Sequence, residues 1–143
     1  MSITQTLTNV FKQDCLDGAQ NLGTSGDTIK IALYTSSATL NATTTAYTTS
    51  NEVSGTGYTA GGTTLSSQSV TLDTTNGVAF FDAADPSFTS ATITARGALI
   101  YNTSSSDKAV CVLDFGGDKT STAGTFTIQF PAATDTQAIL RIA

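Results

Sequence analysis

The stretch Ala91-Thr92-Ile93-Thr94-Ala95-Arg96-Gly97-Ala98-Leu99-Ile100-Tyr101 decides the fold class. Its β-branched and aromatic residues and its two-residue alternation predict a long strand, because successive strand side chains point to opposite faces. The alternation places Ile93, Ala95, Gly97, Leu99 and Tyr101 on one face, and Arg96 and Ile100 on the other. Beyond the turn NTSSSDK, residues 109–115 (AVCVLDF) are apolar on both faces. That pattern predicts a central strand covered on both sides. GGDKTSTAG (116–124) reads as a loop, and TFTIQF (125–130) alternates strictly with Phe126, Ile128 and Phe130 inward. Pro131 cannot donate to a ladder and ends that strand. QAILRI (137–142) predicts a last one.

Upstream of residue 91 the pattern is β from residue 64 onward. Val70 and Leu72 alternate with polar residues, and Val78, Phe80 and Phe81 form the return strand. Asn76-Gly77 between them predicts a two-residue type I′ hairpin turn, which needs positive φ at both central positions. Asp85-Pro86 marks a further turn. TIKIALYT (28–35) predicts the first strand. Residues 36–63 are rich in Thr, Ser, Asn and Gly without periodicity, and predict an extended arm or loop. A loop longer than about 12–15 residues is uncommon in a compact domain unless it is functional. Tyr47 and Tyr58 are its large side chains, suited to pin it to the body or to a partner.

At the N-terminus, Ile3, Leu7, Val10, Phe11, Cys15, Ala19 and Leu22 recur at three- and four-residue spacing. This predicts a helix over 3–22 with one apolar stripe, and with Asp14 and Asp17 on its polar side. Ser2 and Gln5 fit a capping box, and Gly23 fits the left-handed end. The whole is a single mainly β domain over 1–143. It comprises an N-terminal helix (1–23), a polar arm (36–63) and an antiparallel core (64–143) of six to eight strands, arranged as a sandwich or barrel.

Composition narrows function further. The chain carries 29 Thr and 15 Ser, only 12% charged residues and a net charge of −5. Its six cations (Lys12, Lys30, Arg96, Lys108, Lys119, Arg141) are scattered singly, against the basic stripe of a nucleic-acid binder and against an anionic membrane surface. No run approaches the ~20 apolar residues of a membrane span. The N-terminus lacks a basic start followed by an apolar stretch, which predicts folding in the cytoplasm. Cys15 and Cys111 read as two buried thiols, with a single bridge between them left open.

Chemical motifs are weak. Gly116-Gly117-Asp118-Lys119-Thr120 lacks the spacing and the following helix of a phosphate loop. The four glycines of 54–62 lack the dinucleotide-binding context. Asp82, Asp85, Asp107, Asp114 and Asp118 near strand ends could serve a cation as oxygen ligands, although solvated turn carboxylates are the default. With no His, a Ser nucleophile would need a lysine or carboxylate partner, and neither appears at a recognisable spacing. The reading is of a non-enzymatic chain without a cofactor.

Three segments carry a resemblance. They are Asn51-Glu52-Val53-Ser54-Gly55-Thr56-Gly57-Tyr58-Thr59-Ala60-Gly61-Gly62, the strand 93–101, and Leu113–Lys119 with Phe126–Phe130. They resemble a family of small β-rich virion structural proteins of tailed bacteriophages. The resemblance implies a non-enzymatic part of a phage particle, made in the bacterial host cytoplasm and located in the virion. The expected role is a capsid decoration (cement) protein that bridges capsomers. Its expected partners are the major capsid protein or other virion proteins, together with further copies of itself, and neither nucleic acid nor membrane. A tail, neck or fibre component, with a host-binding role among its uses, is the alternative. A carbohydrate-binding module is disfavoured, because Trp is absent and only Tyr34, Tyr47, Tyr58 and Tyr101 could serve as platforms. The candidate interface residues are Leu7 and Phe11 on the helix, and Tyr47, Glu52 and Tyr58 on the arm.

Overall fold

Thr8 starts the helix. Its hydroxyl accepts from the amide of Phe11 (3.3 Å), satisfying one of the free donors at the N-terminus of α1, Asn9–Asp17. Gly18 ends the helix in the left-handed region at φ 69°. The computed structural model describes residues 2–143, and in it α1 is nine residues long rather than spanning 3–22. Residues 3–7 are drawn into β structure instead. Ile3 bridges Leu40, and β1, Thr6–Leu7, pairs with Val112 and Cys111. The expected capping box does not form, because the Gln5 side chain accepts from the Asp114 amide. Asp14, expected on the polar side, is buried.

The remaining strands are β2 (Ile29–Tyr34), β3 (Thr63–Thr64), β4 (Ser69–Asp73), β5 (Val78–Asp82), β6 (Ser87–Asn102), β7 (Lys108–Thr127) and β8 (Leu140–Ile142). They form two antiparallel sheets, one ordered β1-β7-β6-β2-β3 and the other β4-β5-β8. The chain is mainly β with one α-helix, as the alternation predicts.

Strand β2 shows how the layers are built. Ile29, Ile31 and Leu33 enter the core shared with α1, Phe81 and Leu140, while Ala32 and Tyr34 face a second core on the other side. Each aliphatic side chain fully buried there contributes about 1.5–3 kcal/mol. The second core also holds Ala38 and Leu40, with Tyr47 packed against it. Residues 36–62 are therefore irregular, as predicted, yet they pack on the body instead of extending from it: Ala38, Leu40 and Tyr47 on the second core, Val53 and Tyr58 on the first. Main-chain bonds from Val53 to Leu33, Tyr47 to Asp107, Ala109 to Thr45 and Thr92 to Thr56 fasten them along their length.

Five local expectations are corrected. Residues 116–124 belong to β7, because the bulged pairing with β6 continues through them. Ala95 pairs with Lys119 and Gly97 with Asp114, so β7 accommodates extra residues between those points. The side-chain phase of β6 slips at the same place. Ile93 and Ala95 share a core with Ala98 and Ile100, whereas Leu99 and Tyr101 face the opposite one. A bulge adds one residue and inverts the faces that follow, which simple alternation does not register. Strand β7 ends at Thr127, although Phe126, Ile128 and Phe130 are all buried as expected. The last strand covers only 140–142 of the predicted 137–142. Cys15 is exposed and Cys111 buried, and both are free.

The β4–β5 hairpin forms, but over a four-residue loop. Asp73 pairs with Val78, and the Gly77 amide donates to the Asp73 carbonyl. Gly77 has φ 68°, while Asn76 is not in the left-handed region. The Asp73 carboxylate takes over the turn's amides, accepting from Thr75 (2.9 Å) and Asn76 (3.2 Å). A Cβ at Gly77 would meet nothing, so Gly77→Ala incurs only the backbone strain. A loss of about 1 kcal/mol in thermal or urea unfolding is expected, and an unchanged midpoint would contradict the turn geometry.

Candidate interaction surface

An apolar cleft of about 200 Å³ lies between the N-terminal region and the three-stranded sheet. Leu7, Phe11, Cys15 and Leu22 line one side, and Val70, Ala79, Phe81, Leu140 and Ile142 the other. The register explains its composition. Directly opposed residues of antiparallel strands share a face, so Val70–Phe81–Leu140 form one row and Leu72–Ala79–Ile142 the next. The first row reaches the core through Phe81 and Leu140. The second is open, with Leu72 63% and Ile142 56% exposed. Val70 is 52% exposed, and Leu16 on the helix is 92% exposed. Val70, Leu72 and Ile142 share one face of the small sheet and leave large aliphatic area in water, which marks an interaction surface, and Leu16 adds a separate exposed aliphatic on the helix.

The other predicted interface residues meet elsewhere. Glu52 bridges to Tyr34, and its carboxylate gathers three donors. Tyr47 Oη donates to Oε2 (2.7 Å), and Tyr58 Oη (2.6 Å) and the Gly61 amide (2.7 Å) donate to Oε1. Tyr58 Oη accepts in turn from the Leu33 amide (2.9 Å). Tyr101 Oη donates to the Gly61 carbonyl (2.6 Å), and Tyr34 Oη to the Thr48 carbonyl (2.6 Å). Tyr47 stacks on Tyr101 with centroids 4.7 Å apart. All four tyrosines of the chain thus surround its single glutamate. Gly62 closes the segment at φ 77°, where a Cβ would collide with the Ile31 carbonyl. Burial raises the pKa of every one of these phenols, with the Tyr47 and Tyr58 bonds to Glu52 adding to the shift. The tyrosines are satisfied by their own body, so the cluster acts as an anchor for the 36–63 segment.

Sequence reasoning thus placed five residues in one interface, and the structure divides them. Leu7 and Phe11 border the apolar cleft, whereas Tyr47, Glu52 and Tyr58 form the anchor. It missed Leu72 and Ile142, whose alternation signals an apolar face without showing whether anything covers it. It also missed Tyr34 and Tyr101 as members of the tyrosine cluster, which only the fold brings together.

A second polar network fixes the helix. Lys108 Nζ reaches Asp14 Oδ1 (3.3 Å), and Gln20 Nε2 donates to Asp14 Oδ2 (2.9 Å). Asn102 Nδ2 joins Gln20 to Asp27. The Asn21 amide, then Asn102, hold the Asp27 carboxyl below its ordinary pKa. Among the carboxylates considered for a cation, Asp114 pairs with Arg96 (3.3 Å), and Asp85 accepts from the Phe130 amide (2.9 Å). No three His, Cys, Asp or Glu side chains converge as a metal site among the described residues. Cys111 is pushed up to about 12 by burial, which leaves its thiol unreactive near neutral pH. No helix among the described residues is long and apolar enough to cross a membrane.

Comparison of the chain with protein-family models, with curated proteins and with solved structures finds no match.

Proposed function

We propose that the chain is a structural protein of a tailed-bacteriophage virion, acting as a capsid decoration protein that ties neighbouring capsomers together. The observation that carries this reading is the open aliphatic surface formed by Leu72 and Ile142, with Leu16 exposed on the helix. The chain as a whole is rich in uncharged hydroxyls, which are cheaper to desolvate than Lys or Glu. Such a surface suits protein–protein packing. The resemblance of residues 51–62, 93–101, 113–119 and 126–130 to phage structural proteins supplies the particle. Modest contacts repeated over a lattice give strong retention, so no single interface need be tight.

The test is a density map of the phage particle whose genome encodes this chain, made with the native chain and with Leu16→Glu. Density repeated over the icosahedral shell is expected for the native chain. Burying a leucine is worth about 1.5–3 kcal/mol, so Leu16→Glu should weaken occupancy by roughly tenfold or more while leaving the melting temperature unchanged. Density confined to the tail axis or a vertex would overturn decoration in favour of a tail or neck role.

A further inference from the structure

We propose that β4 is the pairing edge for a second copy of this chain, joined antiparallel about a two-fold axis through Thr71. Strand β4 lies at the end of the β4-β5-β8 sheet and pairs on one side only. Exposed edges are ordinarily guarded by lysine, proline, a bulge or a covering element. Ser69-Val70-Thr71-Leu72-Asp73 holds no lysine or proline, and its register with β5 is regular over all five residues. Its aliphatic side chains are exposed rather than covered, Val70 at 52% and Leu72 at 63%.

The strand is complementary to itself. Centred on Thr71, an antiparallel pair opposes Val70 to Leu72 of the second copy, Leu72 to its Val70, and Ser69 to its Asp73. The two Asp73 carboxylates lie at opposite ends, so no like charges face each other. The sheet rows also join. The open row Ile142–Ala79–Leu72 of one copy continues into Val70–Phe81–Leu140 of the other, whose last two members already reach a core. Two three-stranded sheets become one of six strands with a continuous apolar face. Pairing of β4 with β8 of a second copy is the poorer solution. It overlaps the three residues of β8 and, being head-to-tail, propagates without closing, whereas the two-fold closes.

This pairing shares the exposed Leu72 with the particle reading but does not require the particle, and its test separates the two. Opposed Cα atoms in an antiparallel pair are about 4.5–5.5 Å apart, within disulfide range. In full-length chain carrying Cys15→Ser to remove the exposed thiol, Thr71→Cys should oxidise to a covalent dimer, whereas Ser69→Cys should not, because it faces Asp73 and lies roughly 13 Å from its own symmetry mate. Sedimentation of the native chain should show a monomer–dimer equilibrium. Leu72→Lys should raise the dimer dissociation constant by about tenfold or more, with an unchanged circular dichroism spectrum. A native chain that stays monomeric at about 100 µM overturns the pairing. So does a dimer indifferent to Leu72→Lys, equal crosslinking through position 69, or a ladder of higher oligomers. A monomer that still occupies the capsid would overturn this pairing and leave decoration standing. A β4 dimer absent from the capsid would do the reverse.

Discussion

Glu52→Ala should lower the unfolding free energy by about 3–5 kcal/mol and leave residues 36–62 open to proteolysis. The carboxylate accepts from Tyr47, Tyr58 and the Gly61 amide, at 2.6–2.7 Å. A hydrogen bond to a charged group is worth about 1.5–3 kcal/mol, and the half-buried setting of Glu52 trims the sum. Truncation strands three donors at once. The Tyr58 hydroxyl loses its acceptor while it still receives the Leu33 amide, so the fault reaches a central strand of the large sheet. Glu52→Gln keeps two acceptor positions' worth of shape but only one oxygen, and should fall between native and alanine. Urea unfolding with limited proteolysis checks the prediction. A loss below about 1 kcal/mol, or an unaltered cleavage pattern, would show that the apolar contacts and main-chain bonds hold the segment without the carboxylate.

This anchor marks the limit of what the sequence makes legible. Tyr47 and Tyr58 stood out as the large side chains of a polar stretch, and pinning was a foreseeable use for them. Their shared acceptor was not foreseeable, because Glu52 meets Tyr47 and Tyr58 through loop geometry rather than a periodic spacing. Tyr34 and Tyr101 arrive from adjacent strands. Strand existence was far more legible, since the two-residue period of 91–101 and the doubly apolar run of 109–115 are local properties. Phase was less so. The bulge near Arg96 and Gly97 exchanges the faces of Leu99 and Ile100, and nothing in the local pattern marks the irregular pairing with extra residues in the partner strand. The helix failed for a different reason. Ile3 and Leu7 have helical spacing to Phe11, but their amides and side chains do better against Leu40 and Cys111. Tertiary pairing overrides a weak propensity. As for the interaction surface, Leu7 and Phe11 were legible as apolar helix-side residues. The exposure of Leu72 and Ile142 was not, because an alternating strand reads the same whether its apolar face is covered or bare.

The same tyrosines set an alkaline limit on the fold. Burial raises the phenol of Tyr34 well above its ordinary value, with the Glu52 charge adding to the shift. Burial, then the charges of Asp107 and Glu52, push Tyr101 up to about 12. A phenol whose folded pKa exceeds its unfolded value of about 10 stabilises the fold fully below pH 10. That contribution is lost as pH rises through the folded pKa, because the unfolded chain ionises first. Each tyrosine kept neutral in the fold therefore lowers stability by about 1.4 kcal/mol per pH unit above about 10. Tyr34 and Tyr101 are 0% and 2% exposed, so their contributions need no solvent discount. Together they should lower stability by about 2–3 kcal/mol per pH unit between pH 10.5 and roughly 12, a total close to the low end of ordinary chain stability. Because the chain has no Trp and all four Tyr lie in this cluster, tyrosinate absorbance near 295 nm reports on nothing else. Absorbance and circular dichroism should change together, in one steep transition above the ordinary phenol range. Ionisation of all four near pH 10 with the β spectrum intact would mean that the phenols are open to solvent and that the anchor does not hold them.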